Sequence, residues 1–247
     1  MIKAHPLEQV RLLDVQALDT RQRQLAHRRK SLPEHQQLSV LETERAGLSD
    51  RLVEARTKVS DIERELRKSE SAVEQVRSRA DRDQARLDAG TGNAKDLQAL
   101  QHEMVSLARR QSELEDVELE VMERLEQAQA EVLRLQAALD EGHTAVAALT
   151  ASRDEAMTGI DAEAASATAE RDRIAEGLDA ALVTLYEKIR TTSDGLGAAP
   201  LKGRRCEGCR MELTPSDLGR IRDAPPDEVL RCDECRCILV RTLDSAS

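Results

Sequence analysis

A run of positions spaced alternately four and three residues apart extends from Leu41 to Leu87, and no other feature of the sequence restricts the possible folds so strongly. Its occupants are Leu41, Arg45, Leu48, Leu52, Ala55, Val59, Ile62, Leu66, Ser69, Val73, Val76, Ala80, Asp83 and Leu87, of which eleven are apolar. A seam kept up over this length must face a partner helix, and its polar members Arg45, Ser69 and Asp83 are of the kind that fixes register. The run stops at Asp88-Ala89-Gly90-Thr91-Gly92-Asn93, where two glycines and an asparagine can supply left-handed backbone and reverse the chain. A second seam follows through Leu97, Leu100, Met104, Leu107, Gln111, Leu114, Glu118, Val121, Leu125, Ala128, Val132, Leu135 and Leu139, then Val146, Leu149, Ala156 and Ile160. It resumes in a shifted phase at Ala164, Ala167, Arg171, Ile174, Leu178, Ala181, Leu185 and Ile189, and the two four-residue steps at 156–160–164 read as a stutter. Two seams either side of a tight turn predict an αα-hairpin within one chain. Arms of ~80 and ~95 residues would make a rod on the order of 120–140 Å long. A parallel dimer of extended chains is the alternative that the turn disfavours.

Ahead of the seam, apolar residues at Leu7, Val10, Leu13 (or Leu12), Ala17 (or Leu18) and Leu25 predict an amphipathic helix reaching Lys30. Pro33 cannot sit inside an unbroken helix, and Ser31 with Glu34 reads as a capping box, so a kink is expected near 31–33. The last helix is expected to end near Arg190. The predicted organisation is a helical hairpin over 1–192 with its turn near 89–94, a glycine-containing linker over 193–200, and a separate small domain over 201–243.

Composition supports narrow helices over a compact globule. There is one tyrosine and neither phenylalanine nor tryptophan, while 34% of residues are charged. Such helices enclose little water-excluding interior for a catalytic pocket, so neither an enzyme nor a small-molecule substrate is expected. The net charge of −10 arises within residues 1–200, which hold 28 basic and 38 acidic side chains. Broad coating by nucleic acid is therefore not expected, because affinity for phosphate rests on Lys and Arg. The start MIKAHPLEQV has no apolar signal region, and no stretch approaches the roughly 20 apolar residues needed to span a bilayer. A cytoplasmic location without membrane partners is expected.

The chemistry lies in the last 42 residues, which contain all five cysteines. Cys206 and Cys209 form one C-x-x-C pair and Cys232 and Cys235 a second, after 22 intervening residues. Four thiolates in two short knuckles are what one tetrahedral Zn²⁺ requires, and four protein ligands leave no position open for a reacting water. One structural zinc is therefore predicted, contributing much of the folding free energy of this small segment. Disulfides or a redox C-x-x-C are the competing readings, which the lack of a secretory signal or βαβ setting disfavours. Cys237 could replace Cys235 as ligand, although the spacing favours Cys235; otherwise it is a small apolar residue on the final strand. Met211–Leu213 and Cys237–Arg241 suggest a β-ribbon with a core of Leu213, Leu218, Ile221, Val229, Leu230, Ile238 and Val240. The histidines are scattered along helices without metal-ligand spacing, and Gly90-Thr91-Gly92 reads as a turn and not as a phosphate loop.

A long hairpin followed by Cys-x-Gly-Cys-x-Met-x-Leu, about 20 residues, and Cys-x-x-Cys before Ile-Leu resembles the bacterial C4-type zinc-ribbon, coiled-coil family, long described as a domain of unknown function. The resemblance spans essentially the whole chain and includes Asn93–Glu103, similar to the family's turn and second long helix. It implies a mainly α fold, a long antiparallel coiled-coil hairpin with a small C-terminal β-type zinc ribbon. It matches the family's ligands to Cys206, Cys209, Cys232 and Cys235. Arg236 and Cys237 depart from it, standing where relatives tend to have a glycine and a basic residue. Members are linked to sigma-54, flagellar gene expression and RNA as well as protein partners, and these roles vary. The expected function is a non-enzymatic, zinc-binding adaptor that engages a protein, a nucleic acid or both through ribbon and coiled coil, in a role that includes regulation of gene expression. Lys202, Arg204, Arg205, Arg210, Arg220 and Arg222 are the candidate nucleic-acid contacts, although Glu207, Glu212, Asp217 and Asp223 can neutralise them and no aromatic platform is present to stack bases. The alternative is a transcription regulator acting on RNA polymerase or a sigma factor through acidic residues near the hairpin tip, namely Asp81, Asp83, Asp88 and Asp96.

Overall fold

The computed structural model of the chain describes residues 2–90 and 92–242. The elements follow in the order α1 (Pro6–Lys30), α2 (Pro33–Asp88), α3 (Ala94–Glu176), α4 (Ala180–Thr192), β1 (Ala198–Lys202), β2 (Arg205–Cys206), α5 (Pro215–Asp223), β3 (Leu230–Arg231) and β4 (Ile238–Arg241). They divide into two compact units, Gln36–Thr150 and Met1–His35 with Ala151–Ser247.

In the unit Gln36–Thr150, α2 and α3 pair as an antiparallel hairpin. All fourteen seam positions from Leu41 to Leu87, and the thirteen from Leu97 to Leu139, are buried or half-buried. Ile62, Val121 and Ala128 form a core, with Val59, Leu66 and Leu125 packed against it. Polar contacts line its rims: Arg45 with His143 at 3.2 Å, Arg56 with Gln136 at 2.8 Å, Arg124 with Glu65 at 2.6 Å and Arg77 with Glu115 at 2.6 Å. Partners descend along α3 as they ascend along α2, which fixes the antiparallel register. Such exposed, solvent-screened contacts contribute little, so burial of the seam holds the arms together. Of the polar seam residues, Asp83 pairs with Arg79 and Arg86, whereas the buried Ser69 hydroxyl has no hydrogen-bond partner among the described residues. At the turn, Gly90 and Gly92 have φ of 61° and 135°. Asn93, expected to help reverse the chain, instead caps α3. Its Oδ1 accepts from the N–H groups of Lys95 and Asp96, while Asp96 accepts from the N–H of Asn93. Thr91, within the expected turn, lies outside the described residues.

In the other unit, α1 ends at a break over Ser31 and Leu32, as the proline predicts. The expected capping box is absent. Ser31 ends α1, its N–H and hydroxyl both donating to the carbonyl of His27, and Glu34 keeps a buried oxygen without a partner among the described residues. The apolar stripe of α1 also differs from expectation, for Leu7 and Val10 are exposed and the buried face is Gln9, Leu12, Val15, Gln16, Asp19 and Leu25. Three polar residues can be buried there because each finds partners. Gln9 donates to the carbonyls of Ala4 and Pro226, and Gln16 and Asp19 enter a network described below.

No break accompanies the 156–160–164 spacing, and α3 continues to Glu176. The interruption comes at Gly177–Asp179, where Asp179 caps α4 by accepting from the N–H groups of Ala181 and Leu182. This rephases the last helix, so Ala181 is exposed while Leu182 and Tyr186 are fully buried.

The expected linker shrinks to a turn over 193–197, because Ala198–Pro200 belong to β1. The sheet has the order β2-β1-β4-β3, with β1 parallel to β4 and the outer pairs antiparallel. Alternation along β4 splits its side chains between two cores. Ile238 and Val240 join Ala198, Leu12, Val15, Leu178, Leu182, Tyr186 and Ile189 on the face covered by α1 and α4. Leu239 and Cys237 join Ala199, Leu201, Leu213, Ile221 and Leu230 on the cysteine face. Ile238 and Val240, expected in the ribbon's own core, thus pack against the helices, because alternate residues of a strand face opposite sides of the sheet. The chain's first residues meet the ribbon as well: Ala4 N–H donates to Asp227 O, and Val229 N–H to Ile2 O. Leu243, the expected end of the ribbon, lies outside the described residues.

Candidate metal centre

Two similar knuckles present the cysteines. In the first, Cys206 N–H donates to Met211 O and Arg210 N–H returns to Cys206 O. In the second, Cys232 N–H donates to Cys237 O and Arg236 N–H returns to Cys232 O. Closing each loop takes one residue in the left-handed region, and arginine occupies it in both, with φ of 63° at Arg210 and 64° at Arg236. This conformation costs a non-glycine residue about 1–2 kcal/mol. The Arg236 departure noted in the sequence therefore keeps the knuckle, and Arg231 Nε donates to the Arg236 carbonyl at 3.0 Å.

The Sγ atoms of Cys206, Cys209, Cys232 and Cys235 all lie within 4.8 Å of one another. Cys206 and Cys235 are 4.0 Å apart, and Cys209 and Cys232 3.8 Å. A tetrahedron with Zn–S bonds of about 2.3 Å has edges of about 3.8 Å, so the four sulfurs fit one zinc ion with little adjustment. Backbone N–H groups of Gly208 and Cys209 point at the Cys206 sulfur, as those of Glu234 and Cys235 do at Cys232. These donors suit thiolates. The Cys206 thiol is held well below the ordinary range, first by the hydrogen bond from Cys237, and burial pushes Cys232 up to about 12. Bound here, zinc supplies a crosslink between the two knuckles, and four sulfur ligands leave no coordination position for a reacting water.

A family model described as the CT398-like coiled coil hairpin domain matches residues 15–194. The chain belongs to this family. A C4-type zinc ribbon model matches residues 205–239, so this CT398-like protein carries a structural zinc at its cysteine cluster. A Mycobacterium tuberculosis protein is 38% identical over 97% of this chain and 98% of its own, and one from Mycobacterium leprae is 31% identical over 90% and 95%. Among solved structures, one from Mycobacterium smegmatis superposes with a TM-score of 0.83 at 37% identity, covering 98% of this chain and 100% of that one. CT398 of Chlamydia trachomatis superposes at 0.64 with 19% identity, over 95% and 98% of the chains, a likeness of fold alone.

In this CT398-like chain the six candidate basic residues separate into two groups. Arg205 is held by Glu207 through two hydrogen bonds of 2.8–3.0 Å, and Arg220 by Asp233 and Asp217. Lys202, Arg204, Arg210 and Arg222 are exposed with no ion-pair or hydrogen-bonding partner for their side chains among the described residues. The tip aspartates are largely engaged locally: Asp83 in ion pairs, Asp88 by Gln84 and Asp96 in the cap of α3.

Sequence reasoning missed the group that seats the ribbon. Gln16 Oε1 accepts from the N–H groups of Gly197 and Ala198 at 2.7 and 3.1 Å, directly ahead of β1 and within it. Tyr186 donates to Asp19 at 2.6 Å, and Arg171 and Arg190 approach the same carboxylate at 3.4 and 3.6 Å. A Cβ on Gly197 would lie 2.3 Å from the Tyr186 ring, so only glycine fits there. Arg171 was legible as a polar seam residue, but nothing in the spacing indicated its partner 152 positions earlier.

Proposed function

We propose that this protein is a non-enzymatic, cytoplasmic adaptor whose zinc ribbon docks onto an acidic surface of a protein partner. The observation that carries this reading is the β1–β2 hairpin with the first knuckle. Lys202, Arg204 and Arg210 are exposed there with no ion pair or hydrogen bond of their side chains among the described residues, near Met211, a large apolar side chain that is 53% exposed. An apolar centre with a cationic rim suits a protein interface, where Met and Arg are enriched. Along α3, Val105, Leu119 and Leu133 recur every fourteen residues and are exposed as well. The closed four-sulfur site supports a structural role for the metal, and no helix is long and apolar enough to cross a membrane. Nucleic acid is the second reading, favoured by the same exposed cations but lacking a stacking platform. The engagement of three tip aspartates speaks against a polymerase-directed role for the hairpin tip.

The test compares wild type with the Lys202→Glu, Arg204→Glu, Arg210→Glu variant in crosslinking affinity purification and in retention of labelled RNA at low salt. The expected result is a salt-sensitive protein partner captured by wild type alone, with zinc content equal in both and no RNA retained. Retention of RNA by wild type alone would replace the protein reading with the nucleic-acid one. Equal capture by both proteins would remove this surface from either.

A further inference from the structure

We propose that the zinc site can draw its fourth sulfur from either Cys235 or Cys237, so that the fifth cysteine is a reserve ligand for the same ion. The two knuckles make the case by comparison. Each runs Cys-x-x-Cys-Arg-x, with Met211 as the final residue of the first and Cys237 as that of the second. The hydrogen bonds are equivalent, Cys206 to Met211 and Cys232 to Cys237. The side chains at these matching positions take opposite sides. Met211 is 53% exposed, whereas Cys237 is fully buried and lies among the zinc ligands.

One edge of the required tetrahedron is already in place; Cys237 stands outside the four sulfurs that lie within 4.8 Å of one another, so the exchange turns its side chain toward Cys209 and Cys232. Cys237 Sγ is 3.8 Å from Cys206 Sγ, within the roughly 3.8 Å edge of a zinc–thiolate tetrahedron and no farther than Cys235 at 4.0 Å. Cys235 and Cys237 are themselves 3.3 Å apart, closer than two ligands of one tetrahedron, so they suit alternative occupancy of one vertex. The backbone holds Cys237 in place from both sides. Its carbonyl accepts from Cys232 N–H at 3.0 Å, and the next residue, Ile238, donates to Gly197 O at 2.8 Å as β4 begins. Gly208 packs beside the cluster without a side chain: a Cβ there would come 2.9 Å from Leu196 and 3.0 Å from Ala199, and 3.4 Å from the Cys237 sulfur. The exchange is balanced without an oxidant. One Zn–S bond forms to Cys237 as that to Cys235 breaks, and the proton of the Cys237 thiol passes to the departing Cys235 thiolate. Cys235 is the half-buried member of its knuckle, next to the exposed Asp233 and Glu234, so the reserve stands behind the ligand of that knuckle most open to reagents.

The experiment uses the full chain in wild-type, Cys235→Ser, Cys237→Ser, Cys235→Ser/Cys237→Ser and Cys209→Ser forms, loaded with zinc for metal analysis and with Co²⁺ for absorption spectra. Wild type, Cys235→Ser and Cys237→Ser are expected to hold one equivalent with a four-thiolate cobalt spectrum, and the double variant and Cys209→Ser to lose that signature. A Cys235→Ser spectrum matching that of the double variant would overturn the proposal. A second measurement keeps the native ligand set. Zinc-loaded wild type and Cys237→Ser are partially alkylated with iodoacetamide, and the species modified at Cys235 are weighed by native mass spectrometry. Zinc should remain on modified wild type and be absent from modified Cys237→Ser. Equal zinc loss from both would refute a reserve ligand.

Discussion

Tyr186 is the chain's single aromatic side chain, and it is fully buried where α1, α4 and the sheet meet. Burial and the hydrogen bond to Asp19 both raise its phenol above the ordinary value near 10. A proton held more tightly in the folded state stabilises fully below the unfolded pKa, and stability then falls as pH climbs above about 10. Tyr186→Phe should therefore lose about 1–3 kcal/mol at pH 7, through the missing bond to a buried carboxylate. It should also flatten the decline between pH 9 and 11. Urea midpoints of the zinc-loaded proteins across this range check both, and parallel pH curves for the two would show that Tyr186 does not titrate with folding. At this scale the sequence was legible where chemistry is local. Two C-x-x-C pairs point to a metal where neither a secretory signal nor a βαβ setting accompanies them. It was not legible where burial depends on distant partners: Gln9, Gln16 and Asp19 look like an exposed face until residues more than 150 positions away satisfy them, and the place of Cys237 beside Cys206 follows from strand pairing alone.

Helix interruptions decide which faces of the elements are buried. The seam from Leu41 to Leu87 was readable throughout, because a period kept over so many turns leaves one geometry. The break at Gly177–Asp179 was not, although a glycine followed by a capping residue is visible there; it moves the buried position from Ala181 to Leu182, downstream of the phase shift at 156–164, whose positions are buried or half-buried as far as Leu178. Asp179→Ala, which removes the acceptor for two N–H groups, should cost about 1 kcal/mol. Gly142 lies within α3 with nothing within 4 Å of a Cβ placed on it, so Gly142→Ala should stabilise by about 0.5–1 kcal/mol. Chemical denaturation of the two variants checks these opposite signs. A neutral Asp179→Ala would mean that α4 is fixed by packing alone.

For the whole molecule, the decisive arrangement is one sheet serving two cores. Removing zinc with a chelator should loosen not only the cysteine face but also α1 and α4, whose core includes Ile238 and Val240. Hydrogen exchange should then rise over residues 6–19, 180–192 and 198–241 and stay low over the core of the α2–α3 hairpin. Exchange rising only over 205–239 would show that the helices hold without the ribbon. The sequence suggested a ribbon beyond a linker because Ala198-Ala199-Pro200 carries no strand pattern; its place as a central strand comes from parallel pairing with β4. The same pairing has a consequence during synthesis. The α2–α3 hairpin can close once residue 150 has left the ribosome, but Leu12 and Val15 are completed only by residues near 240. At roughly 5–20 residues per second, the N-terminal helix waits on the order of 10–40 s with its apolar side uncovered, a substrate for chaperones until the last strand of the chain arrives.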